Sequence, residues 1–163
     1  MNRFFELSFS KRFVAGHLEP VAEMDRFFPE VVRQSHFRLW TPGIPISSTG
    51  TRILIGIATW SQYDLRLLDV IDASLAQQNG SEALVEVFNI DGLSVEDLSN
   101  YIPGLAWVHH PPVVGIWING ALAQTASGFA GRDLVARIFG SSSNDITQFV
   151  TEQRSTASTS STS

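Results

Sequence analysis

The 163-residue sequence contains no cysteine. Without sulfur there is no disulfide staple, no thiolate metal ligand and no thiol nucleophile, so the chain cannot by itself carry out thiol-disulfide exchange. The same absence removes the usual trace of the redox compartment. Lysine is scarce as well: Lys11 is the one lysine among 11 basic residues, set against 16 acidic ones. A net charge of −5 offers no basic face of the kind that a phosphate backbone attracts, so nucleic acid is not an expected partner. Long apolar runs are lacking too. Glu6, Ser8, Ser10, Lys11 and Arg12 interrupt the aromatic start of the chain, and no later run approaches the roughly 18 residues of a membrane-crossing helix. The expectation is a soluble cytoplasmic protein with no membrane partner.

An apolar content of 44% is sufficient for a real core, and the length suits one globular body with added segments. Residues 1–50 are rich in aromatics and proline. Val21, Met24, Phe28 and Val31 or Val32 recur at helical spacing, which predicts a helix over about Glu19–Gln34, with Pro29 threatening a kink. Turn chemistry from Thr41 to Gly50 marks a border. Beyond it, Ile53-Leu54-Ile55-Gly56-Ile57-Ala58 predicts a central strand buried on both faces. It runs into Trp60-Ser61-Gln62-Tyr63-Asp64, and Leu65, Leu68, Ile71 and Leu75 then follow helical spacing as far as Asn79-Gly80.

Val85–Ile90 alternates as a second strand, and Ser94-Val95-Glu96-Asp97 is a capping-box signal for a short helix to about Tyr101. Pro112–Ile118 predicts a third strand, Asn119-Gly120 a tight turn, and Leu122–Ala126 its antiparallel partner. Gly131-Arg132-Asp133 opens a closing helix over Leu134–Phe139. After Gly140 the sequence allows one weak helix near Ile146–Glu152 and ends in a Ser/Thr tract that can bury nothing, so a disordered tail is expected.

This order of strand, Trp-led loop, helix, strand, helix, proline, strand, Asn-Gly turn, strand and helix resembles the thioredoxin family over residues 51–140. The resemblance implies an α/β fold, a mixed sheet flanked by helices, with residues 1–50 as an appended N-terminal helical segment and 141–163 as tail. It places Trp60-Ser61-Gln62-Tyr63-Asp64 where thioredoxins carry Trp-Cys-Gly-Pro-Cys, so Ser61 and Asp64 stand in place of the two sulfurs. The family's buried acid falls at Ile55. Gly128 matches the glycine after the second hairpin strand. A cis-proline beside the Trp60 loop is also implied, at Pro112 or at Pro111. The family pairs an extended ligand with the backbone of the residue before that proline; if Pro112 is the cis residue, that neighbour is Pro111, which has no N–H to give.

Ser61, Asp64, His109 and His110 form the ingredient list for a nucleophilic serine or a metal site. However, no G-x-S-x-G elbow is present, and Ser61 is more simply a helix N-cap. His17 and His36 read as surface polar residues. Trp60, Tyr63, Trp107 and Tyr101 could form an aromatic contact surface, with Trp117 in the core. The aromatics Phe4, Phe5, Phe9, Phe13, Phe27 and Phe28 could cover that surface or join two copies. The sequence therefore predicts a redox-inactive, thioredoxin-like, protein-binding module, an assembly factor or chaperone-like adaptor. Its expected binding residues are Trp60, Ser61, Gln62, Tyr63, Asp64, His110, Pro111 and Pro112, with no cofactor or metal and with homodimerisation left open. The alternative is a glutathione-binding or metal-dependent enzyme using Ser61, Asp64 and His110.

Overall fold

A computed structural model describes residues 3–7, 11–14, 17–20, 24–43, 48–77, 83–105 and 110–140. In chain order its elements begin with α1 (Arg3–Glu6), β1 (Lys11–Val14), β2 (His17–Pro20), α2 (Met24–Arg33) and β3 (Arg38–Leu39). They continue with β4 (Thr51–Ile57), α3 (Gln62–Gln77), β5 (Leu84–Asn89), α4 (Val95–Tyr101), β6 (Val113–Ile118), β7 (Ala121–Ser127) and α5 (Gly128–Gly140). None of the described helices is long and apolar enough to cross a membrane.

The β-branched run in β4 forms the middle of a five-stranded sheet of order β3-β5-β4-β6-β7. β5 runs parallel to β4, and β3 parallel to β5, whereas β6 and β7 are antiparallel additions. Every residue of β4 is buried, as a strand covered on both faces requires. Strand alternation then sorts its side chains into two cores. Ile53, Ile55 and Ile57 face a core shared with Leu65, Leu68 and Ile71 of α3 and Leu134, Val135 and Ile138 of α5. Leu54 faces the other way, toward Trp40, Phe88, Leu98, Ile102 and Trp117. Each such Ile or Leu contributes about 1.5–3 kcal/mol by leaving water, which makes β4 the energetic centre of the domain. The thioredoxin-like layout is realised in this mixed sheet with helices on both faces, and Ile55 is fully buried where the family would carry an acid.

The N-terminal elements join the same body. Phe28 and Val32, one helical turn apart on α2, pack with Phe4 and Phe37 into the α3 side of the core. Asp69 of α3 accepts the backbone N–H groups of Phe4 at 2.9 Å and Phe5 at 2.8 Å, so a side chain 65 positions along the sequence satisfies the orphan donors of α1. β3 places its two residues beside Glu86 and Val87, so the sheet takes an edge strand from ahead of residue 50. On the opposite face Arg52 and Glu86 form a buried, bidentate ion pair between β4 and β5.

Several element bounds differ from the sequence reading. Of the helix expected over 19–34, Met24–Arg33 is helical, whereas His17–Pro20 pairs antiparallel with Lys11–Val14. Pro29 lies within α2, and the helix runs on past it with Phe28 and Val32 held in the core. The closing helix starts at Gly128, three residues before Gly131. Ser94 and Asp97 form the expected reciprocal capping box on α4. Asn119 and Gly120 both have positive φ, 51° and 83°, as a two-residue hairpin turn between β6 and β7 demands. The expected helix near Ile146–Glu152, the Ser/Thr tail and Asn79-Gly80 lie outside the described residues.

Candidate functional site

At the C-terminal end of β4 the chain leaves the sheet through Ala58, Thr59 and Trp60 and enters α3 at Gln62. Ser61 caps that helix. Its backbone N–H donates to Ala58 O at 3.0 Å, and its Oγ accepts the Asp64 N–H at 3.3 Å, the N-cap to N3 bond that Ser side chains make well. Thr59 is anchored from the neighbouring β5 end, where Asp91 accepts both its N–H and its hydroxyl. The loop is thus fixed at both ends, and the side chains of Trp60 and Tyr63 project outward, 62% and 72% exposed.

The facing wall is the turn before β6. The Pro111-Pro112 peptide bond is cis, so Pro111 occupies the position just ahead of the cis-proline and carries no N–H. Gly128 locks this turn to the end of β7: its N–H is shared between His110 O at 2.7 Å and Pro112 O at 3.0 Å. It does so with φ of +61°, a conformation that glycine adopts without steric cost. Gly131 lets α5 press against the same turn, since a Cβ there would lie 2.8 Å from the Pro112 carbonyl oxygen.

Between these walls lies a pocket of about 540 Å³. Trp60, Ser61 and Tyr63 line it from the β4–α3 junction, and His110 and Pro111 from the proline turn. The rest comes from Ser127 and from Gly128, Phe129, Ala130 and Arg132 at the start of α5. Five of the eight expected binding residues therefore meet at one cavity. Gln62 is exposed, Pro112 is buried and Asp64 is a fully buried carboxyl, and none of the three is among the lining residues.

Asp64 is held by the Ala58 N–H, which donates to Oδ2 at 3.2 Å, while Oδ1 faces Arg132 Nη2 at 3.8 Å and makes no hydrogen bond. Burial pushes its pKa up from the ordinary carboxylate value of 3.8, with the Ala58 N–H and the Arg132 charge pulling the other way and nearby Asp91 adding to the rise. Arg132 in turn lies against two rings, 5.2 Å from the Tyr63 centroid and 5.6 Å from that of Phe129. Phe129 is 86% exposed.

Sequence reasoning did not single out Phe129 or Arg132 as site residues, although both fall within the first five residues of the helix that begins at the Gly128 match. Tyr101 is not part of the surface. It packs edge-on against Trp40 and Phe88 in the second core, where Trp117 also lies. Phe4, Phe28 and Phe37 fill the first core and are not among the pocket residues. His36 is bound to Asp72, its ring Nδ1 3.0 Å from the carboxylate. Trp107, His109 and Phe9 lie outside the described residues, as do the side chains of Phe13 and His17. Among the described residues no three His, Asp or Glu side chains come together as a metal site.

No family model matches the sequence, and no curated protein matches it. Among solved structures the chain is similar to a crystal structure of ERdj5 (form II), with 16% identity over 70% of this chain and 14% of that one and a TM-score of 0.46. It is also similar to crystal structures of human ERp44. Form I has 12% identity over 63% of this chain and 28% of the other, with a TM-score of 0.43. Form II has 11% identity over 74% and 30%, with a TM-score of 0.46. The chain thus spans less than a third of the length of each of these proteins.

Proposed function

We propose that this chain is a redox-inactive, thioredoxin-like protein-binding module of the cytoplasm, acting as an assembly factor or chaperone-like adaptor rather than as an enzyme. A single observation carries the reading: Trp60, Tyr63 and Phe129 leave most of their ring surface in water around one pocket, at the place where the fold would otherwise present its sulfurs. Large, rigid aromatic side chains of this kind supply much contact area with few rotors to immobilise, which is how interface anchors work. Ser61 supports the reading from the other side, since its hydroxyl is committed to capping α3. An extended partner meeting this face gains one acceptor from the Pro111 carbonyl but no donor, so side-chain packing has to carry the affinity.

The test is a quantitative pull-down from the native host with wild type, Trp60→Ala, Tyr63→Ala and Phe129→Ala, with Val70→Ala as control. Val70 is 65% exposed on α3 and does not line the pocket. Surface truncations of this type change stability by only about 0.5 kcal/mol, so lost capture would report on contact. A partner retained by Val70→Ala and released by the three pocket variants is the expected result. Equal capture by all variants would contradict the proposal.

A further inference from the structure

The pocket is mainly apolar, yet it contains one formal charge, and that charge is poorly satisfied. Arg132 Nε is buried without a hydrogen-bond partner. Its Nη2 stands 3.8 Å from Asp64 Oδ1, beyond hydrogen-bonding length, and that oxygen is itself unpartnered. The guanidinium is oriented by the rings of Tyr63 and Phe129, which are carried on the first turns of α3 and α5. A planar guanidinium whose side chain is about a third exposed at the pocket wall is suited to a carboxylate. The surroundings favour negative charge as well. Both helices begin at this pocket, with their positive ends toward it.

We infer that the occupant is an internal peptide segment carrying an aspartate or glutamate beside a large apolar residue. Its carboxylate meets Arg132, and its apolar neighbour covers the Tyr63 and Phe129 rings. This rests on the protein-binding reading above and adds the partner's chemistry. An internal segment is favoured over a chain terminus or a small acid because the two exposed rings flank the cation from different helices. A ligand that satisfied only Arg132 would leave both in water.

The experiment selects binders from a random dodecapeptide library displayed with free flanking sequence, using the full-length chain, and measures the best binder by fluorescence anisotropy. Selected sequences should be enriched in Asp or Glu next to Phe, Trp, Tyr or Leu. Replacing that acid by its amide should weaken binding to wild type about tenfold or more, as loss of a charged hydrogen bond does. The same replacement should change binding to Arg132→Gln by less than about twofold, because the two changes remove one interaction. Should Arg132→Gln fail to fold by its melting curve, the acid-to-amide comparison on wild type decides alone.

Enrichment of apolar residues without an acid, or an acid preference that survives in folded Arg132→Gln, overturns this inference while leaving the protein-binding reading standing. Stabilisation by millimolar glutathione with no peptide enriched assigns the pocket to another occupant and overturns both.

Discussion

Asp64 Oδ1 and Arg132 Nη2 face each other at 3.8 Å beside the pocket, linking the first turn of α3 to α5. The carboxyl is fully buried, whereas the guanidinium is about a third exposed, so the two do not share one dielectric environment. Burial raises the Asp64 pKa above the ordinary 3.8 despite the cation.

The sign of the pH effect follows. A group whose pKa is higher folded than unfolded holds its proton more tightly in the native state. Its favourable contribution is full below the unfolded value and is lost as pH rises through the folded value. Asp64→Asn, which keeps an acceptor for the Ala58 N–H, should therefore melt at a higher temperature than wild type at pH 7. The difference should close as pH falls through the carboxylate range. Melting curves of both proteins between pH 3 and pH 8 check this, and an Asp64→Asn protein less stable than wild type at pH 7 would contradict it.

Gly131 tests whether the close seating of α5 builds the site. A methyl group there would meet the Pro112 carbonyl oxygen at 2.8 Å, and backbone cannot swing aside as a flexible side chain can. Gly131→Ala should lower stability by about 1–3 kcal/mol, the usual range for overpacking, although alanine is the better helix former. Urea denaturation measures it; a stabilised variant would mean that α5 is free to shift.

The buried pair of Arg52 and Glu86 should behave as a unit. Glu86→Leu alone removes the carboxylate that pairs with a buried guanidinium and should cost about 3–5 kcal/mol, whereas Arg52→Met with Glu86→Leu should cost distinctly less than the sum of the two single changes. A double-mutant cycle in urea gives the coupling, and strict additivity would contradict the ion-pair assignment.

Much of the sheet was legible because its signals are local. The β-branched run of β4, the Ser94/Asp97 capping box and the Asn119-Gly120 turn each name a conformation within a few residues, and each is found where the sequence places it. The first 50 residues were less legible. β3 has only two residues and is defined by pairing with β5, and α1 is capped by Asp69 from another helix, neither of which leaves a periodic trace. At the site, Trp60, Ser61 and Tyr63 were found through the motif they replace. Phe129 and Arg132 were missed because a helix turn reads as amphipathic pattern, and only the packing of α5 beside the proline turn turns those two side chains toward the pocket.

Asp69 offers a direct probe of that long-range capping. Asp69→Ala removes the acceptor of two N–H groups and should cost about 1–3 kcal/mol, with amide exchange at Phe4 and Phe5 speeding up more than at Leu68. Asp69→Asn, which retains one acceptor oxygen, should fall between the two. Unchanged exchange at Phe4 would show that α1 is held by ring packing alone.

The proposal that the pocket at the β4–α3 junction is a contact face can be read by photocrosslinking in the native host. p-Benzoylphenylalanine is placed either at Tyr63, beside the pocket, or at Val70, two turns along the same helix. A discrete protein adduct from position 63 and none from position 70 is the expected outcome. Adducts from position 70 alone, or identical adducts from both, would contradict it.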